Sequence, residues 1–358
     1  MKKHILILCP YPYGQAPSQR FRFEQYLNFL EQEGLEINQQ SFLDEKTWGI
    51  LYKSGNQLHK IKGILKGGVK RFLLLFSVFQ YDFVFIHREA TPLGPPIIEW
   101  VIAKVFRKKI IYDFDDAIWL PNTSQENKIA AALKYHSKVR SICKWSFLVT
   151  CGNSYLAGYA RQFNKNVKVV PTTIDTKYHK KQGGRNNRFK STCVIGWTGT
   201  HSTEKYLEEI IPVLQELEKD YSFVFRVISN HNPKLSLKSF EYTQWDKATE
   251  ISDLLQFDIG VMPLENNEWT LGKCGFKGLQ YMALGIPTIM SPVGVNKDII
   301  LQGENGFLAS SPKEWKVVLS QLMEDEMLRM EIGGRGVGTI AKYYSVEANE
   351  KVYLSLFQ

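Results

Sequence analysis

Short apolar runs of strand length recur along this chain with helix-length stretches between them, and the alternation is played through twice. In the first half the runs are residues 3–9, Phe83-Val84-Phe85-Ile86, Lys109-Ile110-Ile111-Tyr112, Phe147-Leu148-Val149-Thr150 and Val167-Lys168-Val169-Val170. Helical spacing marks 19–33, where Phe23, Tyr26, Leu27 and Leu30 share a face, and 97–106. A polar stretch with Gly183-Gly184-Arg185-Asn186-Asn187-Arg188 follows. The alternation then restarts with Cys193-Val194-Ile195-Gly196, Phe223-Val224-Phe225-Arg226-Val227, Ile259-Gly260-Val261-Met262 and Thr288-Ile289-Met290, with helices expected over 203–217 and 277–284. Strands that are apolar throughout are buried on both faces, and strands alternating with helices build a parallel sheet covered on both sides. The expected fold is α/β, with two Rossmann-like doubly wound domains over 1–176 and 177–340, joined through 171–190. Ligand is expected at the carboxyl ends of the strands, in a central cleft between the domains.

Composition narrows the setting. A chain of 358 residues is too long for one ordinary core. Its five cysteines (Cys9, Cys143, Cys151, Cys193, Cys274) have no metal-ligand spacing and read as reduced thiols in a cytoplasmic protein. Met1-Lys2-Lys3 and Ile5-Leu6-Ile7-Leu8 resemble the start of a signal peptide, but the run stops at Pro10 and fits a first buried strand better. The other strong apolar run, 72–79, is far short of the roughly 20 residues of a membrane span.

The formal charge of +9 suits an anionic partner: nucleic acid, membrane surface or phosphorylated ligand. Residues 46–81 contain no acid. Lys53, His59, Lys60, Lys62, Lys66, Lys70 and Arg71 are interleaved there with Leu58, Ile61, Ile64, Leu65, Val69 and Phe72. Such a segment either lies on an anionic membrane or packs on a core with its lysines solvated. No nucleic-acid module or aromatic stacking motif accompanies the charge, so no nucleic-acid partner is expected.

The most informative stretch is Leu271-Gly272-Lys273-Cys274-Gly275-Phe276-Lys277-Gly278-Leu279-Gln280-Tyr281-Met282-Ala283-Leu284-Gly285-Ile286-Pro287. A glycine-flanked turn with two lysines opens a helix that ends at Gly285, before Pro287 and the next strand. Helix amino ends attract anions, glycines admit a phosphate closely, and Lys273 and Lys277 add charge. An ordinary loop–helix–strand connection with solvated lysines fits the spacing equally well.

This stretch resembles the donor-binding signature of the retaining GT-B glycosyltransferases of family 4, also called glycosyl transferases group 1. Other segments agree in order: Val170-Pro171-Thr172-Thr173-Ile174-Asp175, Phe257-Asp258-Ile259-Gly260-Val261-Met262-Pro263-Leu264, Gly303-Glu304-Asn305-Gly306-Phe307-Leu308 and Tyr344-Ser345-Val346-Glu347. The resemblance implies a GT-B fold, a nucleotide-sugar donor and no metal cofactor. It also implies a segment 341–358 that returns to the first domain. It gives donor-binding roles to Gly14, Thr198, Gly199, Lys205, Met262, Lys273, Gly275, Phe276, Lys277 and Gln280. Two glutamates usual in the family are replaced here, the first by Gly272 and the second, on the ribose, by Gln280, whose carbonyl can still accept a hydroxyl proton.

Polar groups follow two strands of the first half: His87, Arg88 and Glu89, then Asp113, Asp115 and Asp116. By resemblance Asp113 stands where the family often has a histidine contacting the donor sugar, and Glu89 or His87 would orient the acceptor. Arg20 and Arg22 could bind an anionic acceptor or be solvated. The spacing of the three aspartates invites a metal, a trait of the other major glycosyltransferase fold; a metal-free site is expected. Ser202 or Thr203 can cap the helix after Thr198-Gly199.

The expected reaction is retaining transfer to a glycan or lipid-linked acceptor in cell-surface polysaccharide or lipopolysaccharide synthesis. Lys273, Lys277 and the helix amino end would steady the leaving diphosphate. The expected place is the cytoplasm, at the inner face of the membrane through 46–81. A catalytically inactive homologue and a sugar-nucleotide epimerase remain as alternatives. A dinucleotide oxidoreductase is disfavoured, since no Gly-x-Gly-x-x-Gly follows the first strand.

Overall fold

The computed structural model of the chain describes residues 2–51, 53, 55–121, 134–180 and 192–358. It contains two compact units, the first made of Met1–Thr172, Gly272–Cys274 and Glu350–Gln358, the second of Thr173–Leu271 and Gly275–Asn349. Of the linker expected at 171–190, residues 181–190 lie outside the described ones.

The first unit is built on six parallel strands: β1 (Lys3–Cys9), β2 (Leu35–Ser41), β3 (Phe83–His87), β4 (Lys109–Phe114), β5 (Leu148–Cys151) and β6 (Val167–Val169). Their order across the sheet is β2-β1-β3-β4-β5-β6. β1 and β3–β5 are almost wholly buried, as strands inside a two-sided parallel sheet must be. Register sets His87 beside Asp113 and Asp113 beside Thr150, so three polar side chains meet at the carboxyl ends of three adjacent strands.

The second unit repeats the plan with β7 (Cys193–Gly199), β8 (Phe223–Ser229), β9 (Phe240–Gln244), β10 (Ile259–Met262), β11 (Thr288–Met290) and β12 (Phe307–Leu308). The order is β12-β11-β10-β7-β8-β9, and again every pairing is parallel. One face buries Ile195, Trp197, Phe225 and Val261 against Leu214, Trp315 and Leu319; the other buries Val194 and Ile228 against Phe257 and Tyr281. A Cβ at Gly260 of β10 would fall 2.4 Å from the Tyr281 ring, so glycine there lets the ring lie flat on the strand.

Two expected helices are interrupted. Residues 19–33 form a short helix Pro17–Arg20, a 3₁₀ turn Glu24–Tyr26 and a helix Leu27–Gln32. The buried Gln19 side chain bonds Tyr11 and Glu24, which competes with a continuous helix. The stretch 203–217 divides into a 3₁₀ helix His201–Glu209 and an α-helix Ile211–Leu217, because Pro212 has no N–H to continue a helix but suits its first turn.

Candidate active site

In the first unit the strand ends form a closed polar cluster. Asp113, on β4, is 1% exposed. Its Oδ1 accepts from Arg22 (2.5 Å) and from the Thr150 hydroxyl (2.7 Å), and its Oδ2 accepts from Arg22 Nε (3.4 Å) and lies 2.8 Å from His87 Nδ1. Burial alone would raise the Asp113 carboxyl, but the Arg22 guanidinium and His87 hold it well below the usual carboxylate range. Arg22 also donates to the Val170 carbonyl and is wholly buried. Asp113 is thus occupied by protein donors where a sugar contact was expected, and Arg22 faces inward instead of toward an anionic acceptor.

A second ring of charge lies nearer solvent. Arg88 follows β3 in a left-handed conformation (φ 60°), reaching Asp115 at 2.8 Å and Asp116 at 2.7 Å. Lys273, which belongs to the first unit, lies 2.8 Å from Asp116 and is anchored through its carbonyl by Asn153. Burial would raise Asp116, and the Lys273 and Arg88 charges lower it. Asp115 and Asp116, like Asp113, the third of the aspartates whose spacing invited a metal, are therefore paired with side-chain cations. Glu89 pairs with the buried Lys138 at 2.6 Å, and Lys138 also donates to the Thr91 carbonyl. Gly14, at φ 72°, donates its amide to Glu24 at 2.8 Å.

In the second unit the end of β7 meets the first turn of the helix Phe276–Ala283. Gly275 precedes it at φ 70°, in the left-handed region, and a Cβ there would sit 2.3 Å from Ile299 Cδ1. The half-buried Lys277 places its ammonium 5.5 Å from the centre of the Trp197 ring of β7. The Thr198 amide donates to the Tyr281 hydroxyl at 2.9 Å, which ties the strand end to the same helix. Gly199 closes β7, and Thr200 with Thr203 forms a capping box for the helix His201–Glu209. The cap is thus Thr200 where Ser202 or Thr203 was expected. Met262 is buried at the end of β10, and Lys205 is exposed beside Tyr206.

Gln280 is 2% exposed, and its amide nitrogen lies 3.2 Å from His179 Nε2. A cavity of about 880 Å³ in this unit is lined by His179, Asp258, Pro287 and Arg329. Asp258 and Pro287 precede β10 and β11, so the cavity opens at the amino ends of the strands. Open parallel sheets bind ligand at the other end, where Thr198 and Lys277 lie. Lys277, Thr198, Gly199 and Gly275 are brought together; Gln280 is engaged with His179, and Lys205 lies over the Tyr206 ring.

Sequence reasoning missed Arg88, Lys138, Trp197, Tyr281 and His179 as working parts. Arg88 carried a signal, since it directly follows a strand; the others gain their roles only from packing. Among the described residues no three His, Cys, Asp or Glu side chains converge as a metal site.

Residues 192–325 match the sequence model of the family described as glycosyl transferases group 1. Among solved structures the chain is similar to sucrose-phosphate synthase from Thermosynechococcus elongatus, at 13% identity and a TM-score of 0.73 over 99% of both chains. A glycosyltransferase from Rickettsia africae gives 13% identity and 0.70 over 99% of this chain and 98% of that one. Anabaena HepE in complex with UDP-glucose gives 14% and 0.64 over 99% of both. At these identities the likeness is one of fold, and the fold is GT-B. No curated protein matches the sequence.

Proposed function

From a chain that carries a glycosyl transferases group 1 domain on a GT-B fold, we propose a retaining glycosyltransferase moving a sugar from a nucleoside-diphosphate sugar to a glycan or lipid-linked acceptor. Cell-surface polysaccharide or lipopolysaccharide synthesis at the inner face of the cytoplasmic membrane is its proposed setting. The observation that carries the donor reading is the Lys277 ammonium on Trp197, where a left-handed Gly275 opens the helix Phe276–Ala283. Positive charge and a helix amino end at a strand terminus suit a diphosphate, and they gain strength as negative charge builds on the leaving phosphate.

Thr198 and Gly199 end β7 at the same place, Thr198 tied to the helix through the Tyr281 hydroxyl and Gly199 packed on the Trp197 ring that lies under the Lys277 ammonium. On the first unit, Glu89 with Lys138 and the Arg88–Asp115–Asp116 cluster supply polar groups for an acceptor hydroxyl. Asp113, His87 and Arg22 act behind them as positioning residues, fixing the strand ends. No metal is required in this scheme; Lys277 takes the leaving-group charge.

HepE is a relative in fold crystallised with UDP-glucose, which makes UDP-sugars the first donors to test. Screening UDP- and GDP-sugars by thermal shift should give a rise of several degrees with one donor class, because a ligand bound only to the native state stabilises it. Donor turnover by wild type and by Lys277→Ala then tests catalysis, and identical turnover sinks the reading. One observation favours an inactive homologue: Gln280, at the family's ribose position, is engaged with His179. Donor binding without donor breakdown or transfer would decide for it.

A further inference from the structure

The helix Gln57–Leu74 has two faces of opposite character. Leu58, Ile61, Leu65, Val69 and Phe72 recur at spacings of three and four, which lines them along one side, and Phe76 continues the row beyond the helix. All six are exposed, Leu58 to 74%, Leu65 to 63% and Phe76 to 69%, and Leu73 and Phe79 beside them are exposed as well. Singly exposed apolar residues are ordinary, but a row this long is the mark of an interaction surface.

The opposite face is locked down. A Cβ at Gly67 would fall 2.7 Å from the Phe42 carbonyl, so the helix lies against the chain following β2. Buried Arg71 donates to the carbonyls of Cys9 at the end of β1, Gln40 on β2 and Ala90 after β3. The outward row therefore belongs to a helix fixed by its inner side, not to one awaiting a core.

Charge selects the occupant. Lys62, Lys66 and Lys70, four residues apart, run along one flank of the apolar row, and 46–81 has no acid of its own. Lys66 meets Asp44 at 2.9 Å with its side chain 74% exposed. Apolar side chains between lysines match a bilayer interface with anionic headgroups, where acyl chains take the row and phosphates the ammonium groups. Among the described residues no helix is long and apolar enough to cross a membrane.

The geometry points to the outward face of Gln57–Leu74, with Leu73, Phe76 and Phe79, as a docking surface for an anionic lipid bilayer. Docking there fixes the loop after β3, through Arg71 and Ala90, at a set height above the membrane; Glu89 sits in that loop. This gives the proposed lipid-linked acceptor its point of delivery, and that last step alone rests on the glycosyltransferase reading.

The test is sedimentation of the full chain with phosphatidylglycerol vesicles and with phosphatidylcholine vesicles, without any donor. Wild type should pellet with the anionic vesicles, less so at high salt. Leu65→Ser/Val69→Ser/Phe72→Ser should abolish pelleting while keeping the wild-type circular dichroism and melting temperature. Lys62→Glu and Lys66→Glu should each weaken partition by at least about five-fold. Failure to pellet, equal binding to both vesicle types, or unchanged binding by the triple variant would overturn the inference. So would a wild-type dimer that the triple substitution makes monomeric without any vesicle binding. Because no donor is present, loss of the transferase reading leaves this result standing.

Discussion

Arg22 donates to both carboxylate oxygens of Asp113 with neither side chain more than 1% exposed. A pair so deeply buried is held by geometry, and removing one partner strands the other charge. Asp113→Asn should destabilise the first unit by about 3–5 kcal/mol, read from urea denaturation. The pH dependence follows from the sign of the shift. The folded Asp113 carboxyl lies below its ordinary value, so its stabilisation is present above that value and lost as pH falls through the folded one. Wild type should lose stability on acidification below about pH 4 more steeply than Asp113→Asn. Parallel pH profiles for the two proteins would contradict this.

Lys277→Ala should weaken donor nucleotide-sugar binding about 10- to 100-fold, the loss of one charge-assisted contact to phosphate. Its half-buried position predicts a melting temperature within a few degrees of wild type. Calorimetric titration with the donor found by thermal shift measures the effect; an unchanged Kd would remove Lys277 from the site.

Gly275→Ala forces a Cβ onto Ile299 at a left-handed φ of 70°. The expected cost is at least about 1 kcal/mol, with donor binding weakened because the helix start shifts. Gly334→Ala, in the exposed interior of the helix Glu326–Thr339 where a Cβ meets nothing within 4 Å, is the control and should stabilise by up to about 1 kcal/mol with donor binding unchanged.

Thiol labelling should separate the cysteines. Burial pushes the Cys9 and Cys143 thiols up to about 12 and raises those of Cys151 and Cys274 as well. Cys193 is the half-buried one of the five. At pH 8 a maleimide should modify Cys193 first, and the other four only when denaturant is added. Mass spectrometry of the labelled peptides reads the order directly.

Strands buried on both faces were the easiest elements to read. β1, β10 and β11 have the bounds their apolar runs suggest, because nothing polar interrupts a strand covered on two sides. Three of the four edge strands were not legible: β2 is Leu-Glu-Ile-Asn-Gln-Gln-Ser, β9 is Phe-Glu-Tyr-Thr-Gln, and β12 is two residues long, whereas the valines of β6 marked it. An edge can carry polar residues without cost, so the apolar signal fades there. Pairings such as Arg22 with Asp113, 91 residues apart, join the turn after the helix Pro17–Arg20 to the end of β4, and local pattern does not encode such packing. Around Gln57–Leu74 the periodicity was visible, yet the same period serves an inward or an outward apolar face. Only the position of Gly67 and Arg71 decides which.

Tyr353 stacks on Tyr26 with ring centres 3.7 Å apart, and Lys3 bonds the Phe357 carbonyl at 2.7 Å. Residues 350–358 thus complete the first unit, although the whole of the second, which ends at Asn349, is translated before them. On the ribosome the order of maturation is inverted: the later unit can condense while the earlier one still waits for its closing segment. A nascent chain stalled before residue 350 would expose the Tyr26 ring, and that half of the molecule would stay open to chaperones longest.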